Sequence, residues 1–220
     1  MKLSKAIHIP VTQIKSIILD WGGVITDIDI DKSEAAFKKI GLNDFRKHYF
    51  MAEQIEFYLL FEEGRMSPEE FRKNLRTYLS FPVSDEDIDE AWAAMLGDTP
   101  GDRWDLLHKI KESYRTFLLS NTCILHVKSY FEYLQHKFGV RGYHHLFEKV
   151  YFSYETGIRK PDAGAFKLVL EENGLIPQET LLIDDSKLNI ESARKLDIQV
   201  YHLQPPVTLK DLFENDRNNS

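Results

Sequence analysis

Five polar residues in the sequence have the types and positions needed for chemistry on a negatively charged substrate. Asp20, Ser120, Lys160, Asp184 and Asp185 each lie at or shortly after the end of a short apolar run. Carboxylates that are brought together in a partly desolvated cleft repel each other strongly, and a divalent cation relieves that repulsion. Oxygen ligands alone select Mg²⁺. If the fold gathers these residues, the sequence therefore predicts a Mg²⁺ site that attracts a phosphate group.

Predicted strands, which alternate with predicted helices in the second half of the chain, would bring these polar residues together. Five runs rich in Ile, Leu, Val and aromatic residues are typical of buried parallel strands. They cover residues 16–19, 116–119, 149–152, 181–183 and 199–203. Helical periodicity in residues 126–138, 163–173 and 188–196 separates the last four runs. Strand alternating with helix predicts an α/β fold with an open, doubly wound parallel sheet, which presents the polar residues at one carboxyl edge.

The interval between the first two predicted strands is too long for a normal crossover. It contains candidate helices at residues 34–40, 44–61, 68–79 and 85–96. Ser67, Pro68 and Glu70 have the pattern of a capping box with proline at the first helical position. We therefore predict an α/β core formed by residues 1–29 and 103–220, and an inserted helical cap formed by residues 30–102.

Composition argues against several classes of function. The chain has 220 residues and a net charge of −7, without a basic run, which argues against nucleic acid as the main partner. Cys123 is the single cysteine, so no disulfide can form within the chain. No stretch approaches the ~20 apolar residues of a membrane span, and the first residues lack the apolar region of a signal peptide. The default location is therefore the cytoplasm, and both a monomer and a homodimer remain open.

The same polar residues indicate how a phosphoryl group would be transferred. Asp20 can attack phosphorus once a metal ion screens the two negative charges. The Ser120 hydroxyl and the amide of Asn121 can donate to non-bridging oxygens, and Lys160 can neutralise charge on the transferring group. Taken singly, an aspartate or serine in such a position is often only a helix cap. Together, at one edge, Asp20, Ser120 and Lys160 are the predicted catalytic residues.

Four motifs give this chain a resemblance to a known superfamily. They are Asp20-Trp-Gly-Gly-Val-Ile, Ser120-Asn-Thr, Lys160-Pro-Asp and the pair Asp184-Asp185 followed by Asn189-Ile190. In type, order and spacing they resemble the motifs of the haloacid dehalogenase superfamily, over essentially the whole chain. The form of the motifs, and the stretch Glu63-Gly-Arg-Met-Ser-Pro-Glu-Glu-Phe71, are most similar to the bacterial glucose-1-phosphatase-like branch.

The resemblance implies a Rossmann-like core with an α-helical cap, a Mg²⁺ cofactor and a phosphatase that forms a phospho-aspartate on Asp20. The residues that would bind the metal are Asp20, Asp185, Asp184 and, through its backbone carbonyl, Gly22. The residues that would bind the phosphate are Ser120, Asn121 and Lys160. Asp184 is either a direct ligand or a neighbour of the ligands. A cap that closes over the site implies a small phosphorylated metabolite, such as a sugar phosphate, as the substrate.

One position departs from the pattern of the superfamily. Most of its phosphatases have a second aspartate two residues after the nucleophile, where this chain has Gly22. A positioned general acid contributes roughly 10²–10⁴ in rate, so its loss slows catalysis without abolishing it. One hypothesis is a substrate with a good leaving group, such as a sugar phosphate esterified at the anomeric carbon. The other is a substitute carboxylate, either Asp27, Asp29 or a glutamate of the cap, although a solvated turn is the favoured interpretation of Asp27 and Asp29.

Three other functions are kept as alternatives. A 2-haloacid dehalogenase uses an aspartate nucleophile against carbon without a metal, and the Asp184–Asp185 pair argues against it. A phosphomutase would need the general acid that Gly22 lacks. A catalytically weak binding protein of the same fold is favoured by Gly22 alone and opposed by Asp20, Lys160 and Asp185. Mg²⁺-dependent turnover separates an enzyme from a binding protein, and chloride release separates a dehalogenase from a phosphatase.

Overall fold

A five-stranded parallel sheet forms the centre of the molecule. The computed structural model describes residues 2–3, 13–46 and 56–214. The strands of these residues are β1 Lys2–Leu3, β2 Ser16–Leu19, β3 Arg115–Ser120, β4 Lys149–Phe152, β5 Thr180–Asp184, β6 Gln199–His202 and β7 Phe213–Glu214. The parallel sheet has the order β4-β3-β2-β5-β6, and β1 pairs with β7 in a separate antiparallel ladder. Ile18 of the central strand lies between Phe117 and Leu182.

Helices connect these strands. In the described residues they are α1 Ile30–Lys39, α2 Glu56–Glu62, α3 Pro68–Arg76, α4 Asp85–Ala93, α5 Gly101–Lys111, α6 Ile124–Phe138, α7 Ser153–Thr156, α8 Ala163–Asn173 and α9 Lys187–Arg194. Short 3₁₀ turns cover Pro177–Glu179 and Leu209–Leu212. None of these helices is both long enough and apolar enough to cross a membrane. The five predicted strands and the three helices predicted between them are present, which confirms the predicted doubly wound α/β fold class.

Both faces of the sheet are covered. Because successive side chains of a strand point to opposite faces, alternate residues of β2 enter different apolar clusters. Ile17 and Leu19 belong to a cluster that includes residues of α5 and α6. Ile18 belongs to a cluster that includes residues of α8 and α9. Burial on both faces explains why each strand is a continuous apolar run in the sequence.

The segment between β2 and β3 is helical, as predicted. The capping box of α3 is present: the Glu70 N–H donates to the Ser67 hydroxyl at 3.2 Å, and the Ser67 N–H donates to the Glu70 carboxylate at 2.9 Å. Residues 47–55 of the helix predicted at 44–61 lie outside the described residues, and α2 covers the end of that prediction. Helix α5 is not among the predicted helices, because it begins at Gly101 after Pro100 and no side chain caps it.

Helices α1 to α4 share an apolar cluster that is rich in aromatic rings. Phe61 stacks on Phe71 with ring centroids 4.1 Å apart, and Trp92 lies edge-on to Phe71 at 4.9 Å. Cys123 and Leu125, at the start of α6, are part of the same cluster. The helical segment therefore packs against the chain that follows the carboxyl end of β3.

The two connections between the helical segment and the sheet lie side by side. The Asp27 N–H donates to the Asp98 carbonyl at 3.0 Å, and the Gly97 N–H donates to the Asp27 carbonyl at 2.8 Å. The Asp29 N–H donates to the Met95 carbonyl at 2.9 Å. The chain thus leaves the sheet and returns to it at adjoining points, close to the carboxyl end of β2.

Candidate active site

Asp20 lies at the carboxyl end of the central strand, directly after β2. Its N–H donates to the carbonyl of Ile183 at 3.0 Å, and its Oδ1 accepts from the N–H of Trp21 at 2.7 Å. The residue is only 9% exposed. Burial raises the pKa of Asp20 to about 7, and the carboxylates of Asp184 and Asp185 act in the same direction, against the effect of Lys160. A positive partner is therefore needed to keep this carboxyl group ionised.

Lys160 supplies that positive charge. Its ammonium lies 2.9 Å from Asp20 Oδ1 and 2.7 Å from Asp184 Oδ2, and the residue is 1% exposed. Burial opposes the charged form, but the two carboxylates outweigh burial and raise the pKa of Lys160. The side chain of Asn121 holds the backbone of Lys160: its Oδ1 accepts from the Lys160 N–H at 2.8 Å, and its Nδ2 donates to the Lys160 carbonyl at 2.7 Å.

Asp184 and Asp185 follow one another at the end of β5 and have different surroundings. Asp184 is fully buried and accepts hydrogen bonds from the Ser186 N–H at 2.8 Å, from Asn189 Nδ2 at 2.9 and 3.1 Å, and from Lys160. Asp185 is partly exposed, and no ion pair joins it to another of the described side chains. Partial burial of its carboxyl group and the charge of Asp184 raise the pKa of Asp185. Asp184 thus anchors Lys160, whereas Asp185 has oxygens available for a ligand.

The three carboxylates together fit a divalent cation. Each of the three residues Asp20, Asp184 and Asp185 has one carboxylate oxygen that lies within 4.8 Å of the corresponding oxygens of the other two. The Lys160 ammonium balances only one of the three negative charges, so a divalent ion would neutralise the group. The donor set consists of oxygen alone, which is the ligand type that Mg²⁺ prefers.

The turn after Asp20 requires glycine at position 23. Gly23 has a φ of +74°, and a Cβ placed there would lie 2.2 Å from Asp185 Oδ2. Glycine therefore lets the backbone of the turn approach the Asp185 carboxylate more closely than any other residue type would permit. At the preceding position, a Cβ on Gly22 would lie 3.1 Å from Cγ1 of Ile28. The place where the superfamily has its second aspartate thus faces an apolar side chain.

A cavity of about 180 Å³ opens at this edge of the sheet. Its lining residues are Asp20, Trp21, Gly22, Ile28, Glu62, Met95, Leu96, Ser120, Asn121, Thr122, His126, Lys160, Asp185 and Asn189. The structure therefore brings all the predicted site residues to one cavity, except that Asp184 lies behind its lining, against Lys160. The volume is small beside the ~300–1,000 Å³ of pockets for drug-sized ligands.

Two residues that the sequence raised as candidates, and the single cysteine, lie outside the site. The Asp27 carboxylate pairs with Arg103 at 2.9 Å, and the Asp29 carboxylate accepts from the Asp31 N–H at 3.2 Å at the start of α1. Neither lines the cavity, as the solvated-turn interpretation expects. Cys123 is fully buried, and burial raises the pKa of its thiol to about 12. The thiol therefore stays protonated and acts as a small apolar side chain in the packing.

Comparisons with known proteins identify the relatives of this chain. The family model described as haloacid dehalogenase-like hydrolase matches residues 110–203. A D-ribitol-5-phosphate phosphatase from Bacteroides thetaiotaomicron is 32% identical over 188 residues, which are 86% of this chain and 91% of that protein. This chain belongs to the haloacid dehalogenase-like hydrolases.

Two solved structures share the fold of this haloacid dehalogenase-like hydrolase. A haloacid dehalogenase family enzyme from Bacteroides thetaiotaomicron, crystallised with magnesium and inorganic phosphate, is 35% identical with a TM-score of 0.81, over 91% of this chain and 100% of that one. A predicted haloacid dehalogenase-like hydrolase from Porphyromonas gingivalis is 30% identical with a TM-score of 0.78, over 86% of this chain and 90% of that one. The predicted superfamily and fold class are confirmed.

Besides the predicted catalytic, phosphate-binding and metal-binding residues, the site of this haloacid dehalogenase-like hydrolase includes Gly23, Glu62, His126 and Asn189. Asn189 belongs to the fourth motif, and Glu62 is a glutamate of the predicted cap, one of the substitute carboxylates that the sequence left open. The glycine pair after the first aspartate and the asparagine after the last carboxylate pair are local signals that could have been used. Glu62 and His126 have no such signal, because their positions depend on how the helical segment packs on the sheet.

Proposed function

We propose that this protein is a Mg²⁺-dependent phosphatase that hydrolyses a small phosphate monoester, a sugar or polyol phosphate, through a phospho-aspartate on Asp20. The observation that carries the proposal is the contact of Asp20 with Lys160 beside two further carboxylates at one end of the cavity. Oδ1 of Asp20 is engaged by Lys160 and by the N–H of Trp21. This fixes the carboxylate and leaves Oδ2 for attack on phosphorus.

The relatives support this class of reaction. One is named a phosphatase, and another was crystallised with magnesium and inorganic phosphate. The predicted enzyme class and the predicted cofactor are thereby confirmed. D-ribitol 5-phosphate is an ester of a primary hydroxyl group on an acyclic polyol. For this reason we include polyol phosphates beside the sugar phosphates that the sequence predicted.

Each residue of the site has a separate role in the proposed phosphoryl transfer. Lys160 and the Ser120 hydroxyl hold the non-bridging oxygens, and Asp20 forms a bond to phosphorus while the bond to the leaving oxygen breaks. A water molecule then attacks the phosphorus of the phospho-aspartate, which releases inorganic phosphate and restores the carboxylate. Asp20, Asp185 and the carbonyl of Gly22 would hold Mg²⁺, which supplies positive charge where two anions approach each other.

Gly22 itself has no side chain that could protonate the leaving group, and on the first of the two hypotheses substrate preference follows leaving-group acidity. We expect faster turnover of glucose 1-phosphate than of glucose 6-phosphate, because the anomeric hydroxyl leaves more readily as an anion. At this position the neighbouring group is apolar, since Cγ1 of Ile28 lies 3.1 Å from where a Cβ on Gly22 would be. Equal or reversed preference would count against this interpretation of Gly22.

We propose that residues 30–102 act as a cap on a core formed by residues 1–29 and 103–220. The adjoining connections at residues 27–29 and 95–98 and the separate aromatic cluster of α1 to α4 support this division. A small cavity between a cap and a sheet edge suits a metabolite better than a phosphoprotein. A cytoplasmic location and a monomeric or homodimeric state stay predictions from the sequence.

The test is phosphate release from p-nitrophenyl phosphate, D-ribitol 5-phosphate and the two glucose phosphates, with Mg²⁺ or with EDTA. We expect release that requires Mg²⁺ and that falls at least about 10³-fold in Asp20→Asn, because the amide is not a nucleophile. Asp29→Asn is the matched control, since asparagine also caps a helix and the residue lies outside the cavity. Undiminished release from Asp20→Asn, or release that EDTA does not affect, would contradict the proposal.

A further inference from the structure

One carboxylate in the cavity has no part in the proposed phosphoryl transfer. The described residues that line the cavity include one acidic residue besides Asp20 and Asp185, and it is Glu62. It is the last residue of α2 and so belongs to the helical segment, not to the sheet edge. Ile28, Met95 and Leu96, which line the cavity from the connections of this segment, are apolar. Among the described residues of the helical segment, Glu62 is thus the charged group that lines the cavity.

The Glu62 side chain is held in place by the loop that carries Lys160. Arg159 Nη2 donates to Glu62 Oε2 at 2.8 Å, and the side chain of Arg159 is 23% exposed and that of Glu62 19%. Among the described residues, no hydrogen bond to Glu62 Oε1 is present. One oxygen of the carboxylate is therefore anchored, and the other is available as an acceptor.

The placement of Glu62 is unfavourable for stability, which favours a functional role. Burial raises the pKa of Glu62 although Arg159 acts in the opposite direction. A carboxylate at the carboxyl end of a helix also faces the negative end of the helix dipole. Thr122 also lines the cavity, and its Oγ1 is buried without a hydrogen-bond partner in the described part of the chain.

We propose that Glu62 is a specificity-determining residue, whose carboxylate accepts a hydrogen bond from a hydroxyl group on the leaving-group side of the substrate. This inference rests on the proposed phosphatase function. A phosphate held at Asp20 and Lys160 leaves the rest of the substrate in the same small cavity as Glu62. A charged acceptor that is anchored on one oxygen selects a hydroxylated leaving group over an alkyl group of the same length.

Three esters test this assignment. D-ribitol 5-phosphate and n-pentyl phosphate share a five-carbon chain and a primary ester, but only the first has hydroxyl groups. p-Nitrophenyl phosphate reports on the phosphate-binding end alone. We expect the wild type to prefer D-ribitol 5-phosphate to n-pentyl phosphate, and Glu62→Gln to lower kcat/KM for D-ribitol 5-phosphate by about 10- to 100-fold, mainly through a higher KM. The other two esters should change by less than about 2-fold.

The controls separate recognition from folding and from the chemistry. Glu63→Gln removes the neighbouring carboxylate, which pairs with Arg65 at 3.2 Å and lies outside the cavity, and should match the wild type on all three esters. An equal loss on D-ribitol 5-phosphate and n-pentyl phosphate would overturn the proposal, as would an unchanged KM for D-ribitol 5-phosphate. A wild-type protein that leaves p-nitrophenyl phosphate intact would instead contradict the phosphatase function itself.

Discussion

At the scale of single residues, Lys160 connects the stability of the site to its chemistry. Its ammonium contacts two carboxylates, and all three side chains are nearly or fully buried. A buried ion pair contributes little when it is intact, but removing one partner leaves an uncompensated charge in a medium of low dielectric. The ammonium that orients Asp20 therefore also lowers the free-energy cost of burying the Asp184 carboxylate.

Replacing this ammonium should affect folding as well as activity. We expect Lys160→Met to lower the free energy of unfolding in EDTA by about 3–5 kcal/mol, because Asp184 would keep its burial and lose its counter-charge. Chemical denaturation measures this loss. Lys167→Met, at an exposed position on α8, is the matched control and should stay within about 0.5 kcal/mol of the wild type. A Lys160→Met protein as stable as the wild type would contradict this account of the buried cluster.

Single residues were predictable where a motif places them at a strand end. Asp20, Ser120, Lys160 and Asp185 all line the cavity because parallel strands present their carboxyl ends at one edge. The side chain of Asn121 was not predictable in this way, since it binds the backbone of a residue 39 positions away. Such contacts depend on loop conformation, which strand periodicity does not encode.

At the scale of elements, the start of α6 joins the sheet to the helical segment. His126 stacks on Trp92 of α4 with ring centroids 5.0 Å apart, and its Nε2–H donates to the Trp92 carbonyl at 3.1 Å. Burial lowers the pKa of His126 to about 4. The first turn of the helix also disfavours a positive charge, because the helix dipole is positive there. The neutral imidazole is thus part of the packing between the two elements.

This packing should make the protein sensitive to acid. Because the pKa of His126 is lowered in the folded state, the unfolded chain binds a proton first as the pH falls below about 6.5. Between pH 7 and pH 5 the wild type should therefore lose about 2 kcal/mol more free energy of unfolding than His126→Gln. Urea denaturation at the two pH values measures the difference. His136→Gln, on the exposed side of the same helix, controls for the loss of a histidine, and an equal pH dependence in the wild type and His126→Gln would refute the prediction.

Elements were predictable where local chemistry defines them. The strands are apolar runs of the right length, and α3 begins at a complete capping box. Helix α5 has neither signal, because Gly101 opens it and its stability depends on burying Trp104 and Ile110 against the sheet. A helix of this kind is stabilised by tertiary packing, and the sequence alone indicates it poorly.

At the scale of the whole molecule, the site depends on how the helical segment meets the sheet edge. Gly64, with a φ of +66°, approaches the backbone of α7 so closely that an added Cβ would lie 2.0 Å from the Tyr154 carbonyl oxygen. The Glu62–Arg159 pair lies next to this contact in the chain. The sequence predicted the insertion from its length and periodicity. The sequence could not predict which side chains of this segment reach the cavity, because that depends on how the helical segment packs on the sheet edge.

The most direct test of the central claim is to trap the covalent intermediate. Wild-type protein turning over p-nitrophenyl phosphate with Mg²⁺ would be quenched in acid, reduced with borohydride and mapped by mass spectrometry. A phospho-aspartate is reduced to an alcohol, so we predict homoserine at position 20, which should be absent when EDTA is added and when Asp20→Asn is used. Sustained turnover with an unmodified Asp20, or reduction at a different carboxylate, would contradict a phosphatase that works through Asp20.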